Sequence, residues 1–581
     1  LRADAARALG RIQNRGSVPA LTAALRDRTP AVRREAAFAL ALVGDSTAAP
    51  ALAERLQDET DADARVTMIT ALGYLGARRG GPALATAIGS PRAAERQAAA
   101  LAAGRARDSS LVAPLSVAVK SVDPETRWRA AYGLGRIADR RGGPALEPLL
   151  SDPNPLARAM AARALGDVGD SSAAPALAKA LEDPAWRVRV NSAHALGVLK
   201  ARTAGGALRS ALRDSNAHVR WESALSLGAV RDSASVTALT TALSDSATGV
   251  VQGAAIALLQ IQGEAAIPTV APSLDLLPPF MRSGLIDAMG DLAGPGSLEI
   301  LLGRVRQDAD AAQAAGAASA LSRRTADRAA AIPALRAALQ SKDFTVVASA
   351  EEGLGTLGDS TSVSDLARLL ARRSAPDDAD VAASAATALA ALKTNDALNA
   401  LRSARHDSER RIRETATRAL GMPDDSIPAE PAPPLRVDPV PAHPAMHATV
   451  VTERGTIAIT LRPREAPRTV ANFVRLARSG YFNGLEFHRV VPNFVVQDGC
   501  PRGDGWGGPG YAIPCEYNEL PYGIGAVGMA LSGKDTGGSQ FFFTTSEQPH
   551  LEGRYTAFDE VTEGEGVLDD LMEGEAITKV T

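Results

Sequence analysis

The residues from Phe487 to Phe543 hold the side chains of greatest chemical interest. They open as Phe487-His488-Arg489-Val490-Val491-Pro492-Asn493-Phe494-Val495-Val496-Gln497. They close as Met529-Ala530-Leu531-Ser532-Gly533 and then Gly538-Ser539-Gln540-Phe541-Phe542-Phe543. A guanidinium, a carboxamide and a phenyl ring stand between positions 489 and 497, and the second run sets another carboxamide beside another phenyl. An arginine stays charged at all ordinary pH and holds its donors in a rigid fork. Placed beside apolar rings, such a cation can stabilise electron density that develops during a reaction, with no nucleophile or metal. The first run alternates apolar and polar residues, the pattern of a half-buried strand.

The order Phe-His-Arg-x-x-x-x-Phe-x-x-Gln followed by Gly-Ser-Gln-Phe-Phe resembles the cyclophilins, peptidyl-prolyl cis–trans isomerases. The resemblance runs from about Thr449 to the chain end, close to a quarter of the sequence. It implies a closed antiparallel β-barrel capped by two helices, with no cofactor and no metal. The implied reaction is rotation about an X–Pro bond, whose barrier is about 18–20 kcal/mol. A cation that donates to the prolyl nitrogen as it pyramidalises helps only in the twisted state, so it accelerates the step. By resemblance, Arg489, Phe494 and Gln497 are catalytic. Phe494, Val495, Phe542 and Leu551 would form the proline pocket, while Gln497 and Gln540 hold the substrate backbone and the arginine. Ala530 and Leu531 would line the groove, Leu531 standing where the family often has Asn. Tyr555 stands where many members have His or Tyr. His550 takes the place of a Trp found in cyclosporin-sensitive members, which implies weak cyclosporin binding. His488 reads as a structural core histidine.

Gly503-Asp504-Gly505-Trp506-Gly507-Gly508-Pro509-Gly510 lacks the strand–loop–helix context of a phosphate loop. It matches the glycine-rich loop beside the cyclophilin groove, where Trp506 would shape access. Cys500 and Cys515, the only cysteines, flank it at places where family members often carry acids. The reading adopted is a disulfide, which would close a loop of about 15 residues and contribute about 3 kcal/mol. It would set the protein in the periplasm or outside the cell. The alternative is two free thiols in a cytosolic protein; the spacing is not that of a four-ligand zinc site.

The rest of the chain must position these groups. With 581 residues it is too long for one core. Hydrophobic residues make up 45% of it and aromatics only 4%, which favours close alanine-rich helix packing. A net charge of −3 argues against nucleic acid as the main partner. No apolar run approaches the roughly 18 residues of a membrane helix. The chain opens at Leu1, in mid-pattern and without Met, so an earlier segment with any signal peptide or lipid anchor is expected to precede it.

Residues 1–421 carry an Ala-Leu-Gly-like signature at Leu9, Leu40, Leu72, Leu101, Leu134, Leu165, Leu196, Leu227, Leu258, Met289, Leu321, Leu354, Leu389 and Leu420. The period is about 31 residues, which reads as some fourteen stacked helix pairs. The pattern resembles short bacterial HEAT repeats of the PBS-lyase type, and implies an all-α solenoid that binds protein. In one unit Asp170 offers an N-cap, Ala174, Leu177, Ala178 and Leu181 share a helix face, and Asp183-Pro184 opens the second helix. Asp152, Asp183, Asp214 and Asp245 recur once per repeat, as do Arg158, Arg189 and Arg220. They read as a ladder tying repeats together; an arginine stripe for an acidic ligand is the alternative. Trp128, Trp186 and Trp221 read as packing between repeats, with partner anchoring the alternative. Leu274–Phe280 and Ser374–Asp378 interrupt the pattern.

Residues 422–447 hold prolines at 423, 428, 431, 433, 434, 439, 441 and 444 and read as an extended linker; docking into the chain's own prolyl site is a second reading. Residues 448–581 complete the chain. The expected whole is a prolyl isomerase that assists protein folding, with proline-containing peptides and client proteins as partners and the solenoid as their holder. The rival is a non-catalytic scaffold that binds proline-containing segments. A pigment-lyase relative rests on the repeats alone, without a catalytic cluster.

Overall fold

The computed structural model describes residues 1–76, 80–307, 310–373, 378–407, 409–422 and 446–581. The proline-rich segment 423–445 and positions 374–377 of the second interruption lie outside them. The described residues form two compact units. The first joins residues 1–238 to 446–501 and 507–581; the second comprises 239–422 and 502–506.

In the first unit the repeats are pairs of a short and a longer helix. A 3-10 turn at Ser171–Ala173 is capped by Asp170, which accepts from the Ser172 N–H at 3.1 Å. The helix Ala174–Ala180 follows, then the turn, then the helix Trp186–Val198. Pro184 stands in the turn rather than in the helix, and the Asp183 carboxylate takes the Ala185 N–H at 2.9 Å. In the neighbouring repeats Pro124 and Pro155 do open the long helix, where a missing N–H costs little.

The recurring glycine of the signature has a steric cause. A Cβ on Gly166 would stand 2.9 Å from Ala195 Cα, and one on Gly73 would stand 2.6 Å from Ala102 Cα. The long helices of successive repeats therefore approach backbone to backbone, which glycine against a small residue permits. The acid–base columns form the ladder. Arg127 grips Asp152, Arg158 grips Asp183 and Arg189 grips Asp214, each through two hydrogen bonds of 2.6–2.9 Å. Each guanidinium also donates to a carbonyl of its own turn, as Arg158 does to Asp152 O at 2.9 Å. These arginines are spent on structure. Trp128 and Trp221 are buried in the array, while Trp186 stacks on His218 with ring centres 5.6 Å apart.

The second unit continues the helix pairs, with long helices at Thr248–Gln262, Pro279–Gly290, Ala311–Arg323, Phe344–Thr356, Asp378–Leu392 and Arg410–Ala419. The first interruption is a 3-10 turn, Ala271–Asp275, ahead of the helix that starts at Pro279. Contrary to the sequence reading, one stretch, Thr248–Asp275, is long and apolar enough to cross a membrane by length and composition. It is broken at Gly263, whose φ is 61°, and its apolar side chains Val250, Ala254, Leu258 and Leu274 are buried within the array.

The C-terminal part of the first unit is an antiparallel sheet. Its strands are β1 (Met446–Thr452), β2 (Gly455–Leu461), β3 (Arg489–Val491), β4 (Val495–Asp498), β5 (Ala526–Met529), β6 (Phe541–Thr544), β7 (Ala557–Glu563) and β8 (Ile577–Val580). Their order is β3-β4-β6-β5-β7-β2-β1-β8. The helix Pro467–Arg478 covers the core, which holds Val450, Ile459, Phe473, Phe482, Phe487, Phe541, Phe543 and Phe558. A short helix, Glu565–Asp570, precedes β8.

The expected closed barrel is an open half-barrel instead. Between β3 and β8 the chain at 484–487 meets 574–577 through a single isolated bridge, Glu486 to Ala576. Gly484 and Gly574 both have φ above 80°, a left-handed conformation that interrupts a strand on each side of the gap. Individual bonds cross it, such as Phe487 N–H to Glu575 O at 2.9 Å, but no ladder forms.

Candidate functional site

The site is built on β3, β4 and β6. β3 pairs with β4 so that Arg489 stands opposite Gln497, and β4 pairs with β6 so that Gln497 stands opposite Phe542. The Arg489 guanidinium donates to Gln497 Oε1 at 3.3 Å, Gln497 Nε2 donates to Gln540 Oε1 at 3.0 Å, and Gln540 Nε2 donates to Gly507 O at 2.8 Å. This relay of carboxamides anchors the guanidinium to Gly507 within the glycine-rich loop. The same guanidinium lies 5.7 Å from the centre of the Phe494 ring. Burial lowers the Arg489 pKa, and Glu573 opposes that shift. The cation is thus partly stripped of water, which strengthens its field on a bound substrate.

Strand alternation separates two apolar clusters. On β6, Phe541 and Phe543 enter the main core while Phe542 points to the other side. There it joins Val495, Leu551, Tyr522, Ala526 and Ala557, with Phe494, Ala530 and Tyr555 half-buried against them. Phe542 stacks on Tyr522 and meets Tyr555 edge-on, both with ring centres 5.7 Å apart. Phe494 stacks on His550 at 5.7 Å with ring planes 21° apart. The predicted residues Arg489, Phe494, Val495, Gln497, Ala530, Gln540, Phe542, His550, Leu551 and Tyr555 thus come together around one groove.

The Leu531 side chain turns the other way and packs against the main core, while the position itself follows Ala530 in the chain. Period two explains this, since Ala526, Gly528 and Ala530 face the groove side while Val527, Met529 and Leu531 face the other way. The sequence reading missed Tyr522, Ala526 and Gly528. A Cβ on Gly528 would stand 2.4 Å from Phe542 Cζ and 2.5 Å from the Tyr522 hydroxyl, so the pocket floor needs glycine there. The small residues at 526, 528 and 530 were the signal available.

The expected Cys500–Cys515 disulfide is not formed; both cysteines remain thiols and are buried. Each sulfur is held by a different loop, Cys500 Sγ accepting from Gly507 N–H and Cys515 Sγ from Asp535 N–H, both at 3.2 Å. His488 is buried, as expected. Trp506 is exposed at 69%.

The groove domain rests on the repeats of its own unit, through their long helices. Arg105 pairs with the Glu552 carboxylate and donates to Pro549 O at 2.9 Å. Arg187 pairs with Asp569 at 2.6 Å and donates to Thr545 O at 3.0 Å. Asn493 Nδ2 donates to Asn191 Oδ1 at 2.8 Å, and Thr67 and Arg34 both reach Glu519. The loop 545–552, which supplies His550 and Leu551 to the groove, is therefore fixed from behind by helical repeats.

Residues 447–580 match the family model described as cyclophilin type peptidyl-prolyl cis-trans isomerase/CLD. Residues 1–73, 112–197 and 175–260 match HEAT repeats. A peptidyl-prolyl cis-trans isomerase of Synechococcus elongatus is 48% identical over 135 residues, which is 23% of this chain and 93% of that protein. The chain belongs to the cyclophilin-type prolyl isomerases. Two other relatives agree. A Helicobacter pylori peptidyl-prolyl cis-trans isomerase is 48% identical over 138 residues (23% of this chain, 85% of the relative). Peptidyl-prolyl cis-trans isomerase B of Bacillus subtilis is 50% identical over 126 residues (21% and 88%). The cyclophilin domain binds proline-containing substrates and isomerises them.

Three buried carboxyls of the cyclophilin domain give a pH prediction. Burial pushes Asp498, Asp559 and Glu573 each up to about 8. Their folded pKa lies above the unfolded value near 4, so their neutral form favours the folded state. That contribution is complete below about pH 4 and is lost as pH rises through about 8. Thermal scans should show a lower Tm at pH 9 than at pH 6, and Glu573→Gln should narrow the difference; an equal or higher Tm at pH 9 would refute it.

Proposed function

We propose that the cyclophilin groove catalyses prolyl isomerisation in unfolded or partly folded polypeptides, and that the repeats hold those clients beside it. The observation that carries this reading is the seating of the groove loop 545–552 on the long helices of the repeats, through Arg105, Arg187 and Asn191–Asn493. A polypeptide engaged elsewhere on the repeats meets the groove at a high effective concentration.

In the reaction, the proline ring enters the cluster of Phe542, Val495, Leu551 and Phe494. Arg489 donates to the prolyl nitrogen as the amide twists and its lone pair localises. Gln497, fixed by Gln540, orients the guanidinium. No covalent intermediate is required. A protein-folding and chaperone role follows from pairing this chemistry with a protein-holding surface. The rival scaffold role needs no anchored guanidinium, and the relay from Arg489 to Gly507 is therefore against it.

A competition assay tests the client-holding part. An unfolded, proline-free protein added in excess should slow catalysis of proline-limited protein refolding while leaving exchange of a short X–Pro peptide unchanged. Equal refolding rates with and without the competitor would remove the holding role and leave the isomerase.

A further inference from the structure

Behind His550, a cleft of about 60 Å³ is shared by the cyclophilin loop and the repeats. Glu547, Gln548 and His550 form one wall; Tyr132, Arg136, Met160 and Arg163 from two successive long helices form the other. The volume is that of about two waters, which a carboxylate can fill. His550 is common to both spaces, since its other contact is the stack on Phe494 at the proline groove.

The cleft's charges are unequal in availability. Neither Arg136 nor Arg163 has a carboxylate within 4.0 Å among the described residues, unlike the ladder arginines one helix face away. Two acids face them. Asp167 lines the cleft with its side chain exposed, and burial pushes its carboxyl up against the opposing pull of Arg163 and Arg136; burial likewise pushes Glu547 up to about 7. His550 is held near 4, first by burial and then by Arg136, Arg163, Arg554 and Arg105, so it is neutral at pH 7. Two guanidiniums without an ion-pair partner therefore look into a space adjoining the groove.

We propose that Arg136 and Arg163 form a substrate subsite, supplied by the repeats, that selects an acidic side chain close to the prolyl bond. This rests on the isomerase reading of the groove and adds specificity to it: the repeats choose the sequence context in which the cyclophilin domain works. Arg136 and Arg163 are specificity residues here and take no part in the bond rotation.

The test uses the full chain and short X–Pro peptides carrying Glu, Gln or Lys at each of the two positions on either side of the proline. At one position kcat/KM for Glu should exceed that for Gln by about tenfold, the scale of a hydrogen bond to a charged group, with Lys lowest. The advantage should shrink at high salt. In the double variant Arg136→Gln/Arg163→Gln the Glu and Gln peptides should be turned over alike, at the wild-type rate for Gln. If that variant also slows the Gln peptide, the double Lys variant must restore a preference for Glu. A wild-type chain with no position favouring Glu, a preference surviving in the Gln double variant, or a Lys double variant without it would each overturn the subsite. All leave the isomerase itself standing, because its loss is read separately as inactivity on every peptide.

Discussion

Arg489→Ala should lower kcat/KM for an X–Pro peptide by about 10²–10³, the range seen when one preorganised transition-state donor is removed. The guanidinium is half-buried, tied to Gln497 at 3.3 Å and through it to Gln540 and Gly507. Alanine removes the donor and leaves the carboxamides paired with each other, so the fold should survive. The loss should fall on kcat more than on KM, because the bond to the prolyl nitrogen forms only as the amide twists. Arg489→Lys should recover little, since an ammonium cannot reproduce the fork that reaches Gln497 and substrate together. Equal kcat in wild type and Arg489→Ala would remove Arg489 from the mechanism.

Phe542→Ala should have the other large effect, on both stability and binding. The ring is 5% exposed and packs on Tyr522 and Tyr555. Truncating a buried phenylalanine costs about 3–5 kcal/mol through lost transfer energy and a residual cavity. The same ring walls the proline pocket, so KM should rise as well. Phe543→Ala, on the opposite face of the same strand in the main core, supplies the control. It should destabilise comparably in urea titrations while leaving KM near wild type at temperatures where both variants are folded. Matching KM values for the two variants would show that Phe542 has no binding role.

The repeats were legible because one physical demand recurs at every unit. Helices that touch backbone to backbone need a glycine, and the places of Gly73, Gly135, Gly166 and Gly197 against Ala102, Ala164, Ala195 and Ser226 are that demand written out. The acid–base ladder was legible for the same reason. The groove was legible where the chain is local: Arg489 and Gln497 face each other across a tight hairpin, so their spacing in sequence is their spacing in space.

What failed to show depends on pairing between distant segments. Leu531 was placed by a motif position, whereas strand alternation decides its face. Tyr522 joins the pocket from an irregular stretch with no periodicity to mark it. The gap between β3 and β8 turns on two left-handed glycines, Gly484 and Gly574, nearly a hundred residues apart. The cysteines were close enough in sequence for a bridge, yet the backbone N–H groups of two different loops claim their sulfurs. The seating of the cyclophilin domain on the repeats was out of reach altogether, since contacts such as Asn191–Asn493 and Arg105–Glu552 join positions 302 and 447 residues apart.

Prolyl isomerisation by the groove is tested most plainly by cis–trans exchange of a short X–Pro peptide, followed by exchange NMR with catalytic amounts of the full chain. Uncatalysed exchange takes tens to hundreds of seconds. Catalytic amounts of the wild-type chain should bring exchange to a sub-second timescale; a folded wild-type chain that leaves the exchange rate unchanged would contradict prolyl isomerisation by this groove.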